Sequence, residues 1–95
     1  MTRADLPPGT QAVQAAHAAI GFAVTHPHLL AGTVALLCAR DELELCWLLE
    51  SARRDDVAAL PFYEPDLGGA LTAIALEPAG RRLCSKYPLA LEGSS

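Results

Sequence analysis

Long apolar runs are missing from this 95-residue chain. No stretch of about 18 uncharged apolar residues occurs, so no membrane-spanning helix is expected. The opening MTRADLPPGT has an early acid and two prolines where a secretory signal needs bases followed by an apolar run, and the default expectation is a cytoplasmic location. Cysteine is scarce: Cys38, Cys46 and Cys84 are an odd number, with no Cys-x-x-Cys and no histidine at metal-ligand spacing. That argues against a disulfide framework and a zinc site, and the three read as buried free thiols that behave as small hydrophobes. Aromatic residues make up 5% of the chain, so its core must be built from closely packed small and branched side chains. Positive charge is also short, with seven Lys and Arg against eleven Asp and Glu and a net charge of −4. This disfavours broad contact with nucleic-acid phosphates. The bases are clustered, however, at Arg53–Arg54 and at Arg81, Arg82 and Lys86, which leaves a local basic patch open.

What is present is apolar and compact in its demands. Hydrophobic residues are 52% and charged residues 19%, which is not a disordered composition. The length suits one small domain, residues 1–91, followed by a frayed polar tail at 92–95. A chain of this size buries roughly 60–65% of its unfolded surface, enough for a thin core.

Along the chain, MTR is at most the end of a strand. ADLPPG reads as a turn, with two prolines fixing the path and Gly9 free to take an unusual dihedral. A helix follows with Thr10 as N-cap and runs to about His26, where Pro27 stops it. HPHLLAG is a loop. TVALLCA (33–39) reads as a strand buried on both faces. DELELCWLLESARRD is a second helix, with Asp41 as N-cap, Glu44 completing a capping box, and Leu45, Leu48, Leu49 and Ala52 along one face. VAALPFYE (57–64) is a strand whose Pro61 suits an edge. PDLGG is a turn, ALTAIALEP (70–78) another strand, and AGRRLCSKYPLAL begins as a short helix. Strands alternating with helices, then two strands in succession, predict a small three-layer α/β/α sandwich. Its mixed sheet has four strands, the first short or missing.

The first helix contains the polar residues of interest. At the helical period Val13, His17, Ile20 and Val24 share one stripe, which puts His17 at or beside the core. Gln14 lies next to that stripe, and Gln11 and Gln14 are neighbours three residues apart. A glutamine on a helix is ordinarily solvated. A glycine-containing turn leading into a helix start offers free N–H groups and a positive dipole end, a place where an oxyanion or phosphate can be held.

RADLPPGTQAVQAAHAA (3–19) resembles the opening of the type 2 (archaeal and eukaryotic type) peptidyl-tRNA hydrolases. In that family an Arg-x-Asp-Leu turn precedes a glycine and a helix bearing Gln and His three apart, a spacing kept by Gln14 and His17. FYEPDLGGALTAIALEP (62–78) resembles the family's strand, acidic loop, Thr-bearing strand and closing proline, with Thr72 and Pro78 in matching positions. The resemblance covers about residues 3–91, as a shortened member. It implies hydrolysis of the ester between a peptide and the 3′ end of tRNA, in translation, with no cofactor and no metal. It implies a catalytic carboxylate, either Asp66 or Glu64, orienting or deprotonating the attacking water. Thr72 would hold the substrate or the water, and Gln14 and His17 would support the site. Gly9 and Thr10 at the helix start would face the developing oxyanion, and Arg81 and Arg82 would contact the tRNA. Thr10 stands where the family has a lysine, the turn before the helix is about two residues shorter, and the first strand is nearly absent.

Blander readings exist for each residue. Asp66 fits a turn cap, Thr72 an ordinary strand threonine, Asp5 an ordering residue of the ADLPPG turn, and Arg81, Arg82 and Lys86 a solvated helix face. No G-x-S-x-G elbow and no activated cysteine context supplies a rival nucleophile. The expected partner is tRNA carrying a peptidyl or aminoacyl group, with a homodimer open and no membrane contact. The alternative is a non-catalytic module on the same fold that binds a tRNA end or a protein, the latter through an uncovered sheet edge.

Overall fold

The computed structural model describes residues 1–29 and 36–90. Its elements are β1 (Thr2–Arg3), α1 (Pro8–Thr25), β2 (Cys38–Ala39), α2 (Glu42–Arg54), β3 (Ala59–Glu64) and β4 (Ala70–Leu76). Short 3₁₀ turns follow at Pro27–Leu29, Pro65–Leu67 and Pro78–Cys84. The sheet is mixed, in the order β2-β1-β4-β3, with β1 parallel to β2 and antiparallel to β4. α1 packs on β4, β3 and β1 from one face, and α2 packs on β4 and β3 from the other. This is the expected α/β architecture. No helix of the described residues is long and apolar enough to cross a membrane.

The two-residue β1 sits in the middle of the sheet and is held from both sides. Thr2 N–H donates to Leu37 O, Ala4 N–H to Ala39 O, and Ile74 N–H to Met1 O. The predicted strand 33–39 is observed as Cys38–Ala39, both buried, and residues 30–35 lie outside the described residues. The edge of this strand is covered, because Cys38 N–H donates to Pro88 O and Ala90 N–H to Leu36 O. β3 is the opposite edge strand and carries Pro61, where a missing N–H costs no ladder bond. The tail 92–95 lies outside the described residues.

One irregularity sets the faces of β4. Phe62 pairs with Ala73 and Tyr63 with Leu71, so Thr72 is an extra residue opposite the Phe62–Tyr63 step. Strand side chains alternate, and a bulge shifts the alternation by one. Leu71 and Ile74, which strict alternation would send to opposite faces, therefore join one cluster with Ala39, Leu45 and Leu49. Gly68 and Gly69 make the turn into this strand with φ of 68° and 78°, a region that glycine enters without Cβ strain.

α2 forms as its pattern predicts. Asp41 caps it, accepting from Glu44 N–H at 3.0 Å, while the Glu44 carboxylate reaches back to Arg40 N–H at 2.7 Å, one residue beyond the usual capping-box partner. Leu45, Leu48, Leu49 and Ala52 are its buried residues. Cys46 departs from the buried-thiol expectation: it lies on the outer face of α2 and is exposed, whereas Cys38 and Cys84 are buried.

α1 departs further. It begins at Pro8, with Pro7 as N-cap and no side-chain capping bond, so Thr10 is not the cap but lies in the first turn. Proline at the first helical position needs no N–H partner and has its φ already set, which makes a hydroxyl cap dispensable. Gly9 also lies in that first turn, at no unusual dihedral. The face is inverted as well. The buried residues are Gln11, Gln14, Ala18 and Phe22, whereas Val13, Ile20 and Val24 are 52%, 63% and 78% exposed. His17 is exposed with them, not core-facing. The sheet beneath α1 approaches closely, since a Cβ at Gly21 would collide with Leu60. Small and flat-lying side chains fit there, and the branched ones turn outward.

The two helix starts give a direct test. Asp41→Ala removes a capping acceptor and is expected to cost about 1 kcal/mol, whereas Thr10→Ala is expected to change stability by less than about 0.5 kcal/mol. Urea unfolding followed by circular dichroism reads both.

Candidate functional site

The carboxyl ends of β1 and β3, the start of β4 and the N-termini of both helices meet at one end of the sheet. Arg3, at the end of β1, donates from Nε and Nη2 to the two carboxylate oxygens of Asp5 at 2.9 and 2.7 Å. Its Nη1 donates to Leu71 O at 3.1 Å. One guanidinium therefore ties the turn before α1 to the start of β4, and such a bidentate pair is rigid as well as strong. Asp5 orders the ADLPPG turn in this way. Gln11 completes the turn, its Nε2 donating to Leu6 O at 2.7 Å. Gln11 Oε1 is buried with no partner among the described residues.

The bulge turns Thr72 toward α1. Its hydroxyl lies 3.1 Å from Gln14 Oε1 and 3.3 Å from Phe62 O, and Thr2 Oγ1 donates to Thr72 O at 3.3 Å. Thr72 and Thr2 are fully buried and Gln14 is 5% exposed. A buried amide and hydroxyl require such partners, because each would otherwise carry an uncompensated desolvation cost. Gln14 is thus not a solvated helix residue. His17, one turn further on, lays its ring against Phe62 with centroids 4.7 Å apart.

The acidic loop sits at the end of β3. Glu64 is 9% exposed, and its Oε1 accepts from Asp66 N–H at 3.2 Å. Glu64, rather than Asp66, is the turn cap. Asp66 is exposed on the short 3₁₀ turn Pro65–Leu67. On the α2 side Glu42 Oε2 accepts from Leu71 N–H at 2.8 Å, which satisfies the backbone next to the bulge.

Of the predicted residues, the structure joins Gln14 to Thr72 and Glu64 to Asp66, and sets His17 against Phe62; Gly9 and Thr10 lie in the first turn of α1 at the same end of the sheet. It places Arg81 and Arg82 elsewhere. They lie on the 3₁₀ turn that follows the far end of β4, and Arg82 pairs with Asp55 at the C-terminus of α2 at 3.3 Å. They follow the end of β4 opposite to the turn at Pro65–Leu67, so they do not join the site. Burial pushes the Cys38 and Cys84 thiols up from their ordinary range, and neither is a ready thiolate. Among the described residues no three His, Cys, Asp or Glu side chains gather as a metal-binding group.

A concavity of about 650 Å³ that the motifs did not anticipate opens beside α2. Trp47, Leu48, Arg40, Lys86 and Tyr87 are among its lining residues, and none of the predicted site residues lines it. Trp47 is 68% exposed, and the one sequence signal for this surface is a tryptophan off the Leu45–Leu49 face.

Two outcomes are expected. Thr72→Val keeps the shape and strands Gln14 Oε1, and is expected to cost about 1–3 kcal/mol. Adding Gln14→Leu should recover part of that loss in a urea double-mutant cycle. Second, Arg3 holds the Asp5 carboxyl below its ordinary value of 3.8, chiefly through their hydrogen bond. The unfolded chain then binds this proton more readily, so the contribution of Asp5 is present above its ordinary value and is lost as pH falls toward the folded one. Asp5→Asn is expected to flatten that part of the stability profile, as read by thermal melts across acid pH.

Comparison of the chain with family models, with curated proteins and with solved structures finds no match.

Proposed function

We propose that the chain is a peptidyl-tRNA hydrolase that cleaves the ester between a peptide, or an N-blocked amino acid, and tRNA by direct attack of water. The observation that carries the reading is the 3.1 Å bond between Gln14 and Thr72. These residues belong to the two separate stretches, 3–19 and 62–78, whose resemblance to the type 2 hydrolases was independent in sequence. They meet as one buried pair at the end of the sheet where α1 begins.

The roles follow from exposure and bonding. Asp66 is open to solvent and orients or deprotonates the attacking water. Glu64, buried and bonded to Asp66 N–H, holds the loop and so positions that carboxylate. Thr72 and Gln14 fix the wall of the site beside α1. The first-turn N–H groups of an α-helix have no partner inside the helix, and those of Gly9 and Thr10 are available to the oxyanion of the tetrahedral intermediate. Gly9 leaves open space above this turn. His17 on Phe62 forms the adjacent wall.

A second reading is a non-catalytic module on the same fold that binds a tRNA end or a protein, and one observation favours its protein-binding form. Arg81 and Arg82 lie at the far end of the sheet, and Thr10 supplies no cation at the helix start. The test is deacylation of N-acetyl-aminoacyl-tRNA beside unblocked aminoacyl-tRNA. The hydrolase reading expects turnover of the blocked substrate, a loss of about 100-fold or more in Asp66→Asn, and a loss below about 10-fold in Glu64→Gln. Hydrolysis of the unblocked ester alone would shift the substrate to aminoacyl-tRNA. No deacylation by a protein with native circular dichroism would sink the hydrolase and leave the binding module.

A further inference from the structure

The concavity beside α2 takes no part in the hydrolase reading, and it lies where an α/β sheet offers room for a ligand. β1 and β2 are parallel neighbours, with Thr2 opposite Cys38 and Arg3 opposite Ala39. The chain leaves β1 for α1 and β2 for α2, and the two helices lie on opposite faces of the sheet. The carboxyl ends of two such strands part and leave a crevice, and crevices of this kind hold nucleotides in open α/β sheets. Ala4, the first residue after β1, and Arg40, the first after β2, both line the concavity. Its volume of about 650 Å³ falls within the range of roughly 300–1,000 Å³ usual for small-molecule sites.

The walls say what fits. Glu44, Trp47 and Ser51 follow one another at helical spacing along α2 and form one wall. Lys86 and Tyr87, just beyond the 3₁₀ turn at Pro78–Cys84, belong to the other. Trp47 is 68% exposed. Trp47 and Tyr87 also line a smaller hollow of about 220 Å³, so both stand where the two hollows join. A planar ring stacked there covers aromatic surface that water otherwise touches. Burial pushes the Tyr87 phenol up, so it stays a neutral donor.

Charge is the second constraint. Arg40 and Lys86 are the cations of the concavity, and Glu44 is its acid. The Glu44 charge is offset, because its carboxylate accepts from Arg40 Nη2 at 3.1 Å and from Arg40 N–H at 2.7 Å. The Arg40 side chain is 80% exposed, and its other guanidinium N–H groups remain open to an anion. Lys86 has no acidic partner among the described residues. Asp41 lines only the smaller hollow, and its carboxylate accepts from Glu44 N–H. A positive charge is thus left beside an exposed aromatic ring, on a chain whose net charge is −4.

We propose that this concavity is a nucleotide site, in which a base stacks on Trp47 and a phosphate is held by Lys86 and the open edge of Arg40. A phosphate suits two cations better than a carboxylate does, because a phosphate monoester carries about −1.5 to −2 at neutral pH. Neither Gln14 nor Thr72 lines the concavity, so the proposal does not rest on the hydrolase reading.

Trp47 is the one tryptophan of the chain, and its fluorescence reports this place alone. Titration of the full chain with AMP is expected to quench it saturably, with a dissociation constant below about 1 mM. Adenosine, without the phosphate, and ribose 5-phosphate, without the base, should each bind at least about tenfold more weakly. Calorimetry reads the variants. Trp47→Ala should raise the dissociation constant for AMP at least about fivefold, Trp47→Phe should recover most of that loss, and Lys86→Gln should raise it about tenfold. Both positions are exposed, so thermal melts should stay near native and a folding defect is distinguishable. A base with a phosphate can also come from the end of an RNA. Tighter binding of the trinucleotide CpCpA than of AMP assigns the site to an RNA end, and AMP binding as tight or tighter assigns it to a free nucleotide; either result supports a nucleotide site. No saturable quenching by AMP or CpCpA, equal affinity for ribose 5-phosphate, or binding indifferent to Trp47→Ala would each overturn it.

Discussion

The extra residue in β4 is the constraint on which the rest of the structure depends. Thr72 interrupts the alternation of the strand, and everything on either side of the sheet is arranged around that interruption. Below it, Leu71 and Ile74 share the α2 face and close the cluster with Leu45 and Leu49. Above it, the Thr72 hydroxyl is delivered to Gln14, and α1 is fixed on the sheet through a buried polar bond as well as through apolar contact. A regular strand would send either Leu71 or Ile74 to the α1 side. The Glu42 carboxylate, bonded to Leu71 N–H, and the Arg3 guanidinium, bonded to Leu71 O, secure the backbone at the same place from two elements.

The two helices use opposite solutions to the same sheet. α2 buries leucines and an alanine and presents charge outward, so its stability is ordinary hydrophobic burial with a good N-cap. α1 lies close to the sheet at Gly21 and buries two glutamines, an alanine and a phenylalanine. The cost of burying those amides is offset where Gln14 meets Thr72 and where Gln11 meets Leu6 O. The apolar residues that would ordinarily line the core are displaced to the surface. This exchange links the candidate site to the outer face of the same helix, because polar groups held inside at the sheet end leave branched side chains outside.

Much of this was legible in the sequence. The turn at 65–69, the edge strand with Pro61, the Asp41 cap, the leucine face of α2 and the mixed four-stranded sheet all rest on local rules, such as turn chemistry, capping and period. The motif stretches 3–19 and 62–78 pointed to Gln14 and Thr72 separately, though no local rule said that they touch. The inverted face of α1 was not legible. Val13, His17, Ile20 and Val24 obey the helical period as well as Gln11, Gln14, Ala18 and Phe22 do, and only the partners available on the sheet choose between the two stripes. Thr10 as a cap failed for a related reason: a proline at the first helical position had already removed the need for one.

The sequence by itself determined the type and order of the elements and where the chain turns, because those depend on neighbours a few residues apart. The tertiary structure decided three things: which face of α1 is buried, that Thr72 is the residue turned out of register, and that Arg82 pairs with Asp55 and lies, with Arg81, away from the site. The buried face of α1 and the place of the arginines rest on contacts between residues far apart in the chain, 58 between Gln14 and Thr72 and 27 between Asp55 and Arg82, and the register of Thr72 rests on the pairing of β3 with β4. Such contacts arise from the packing of whole elements, and no local pattern encodes them.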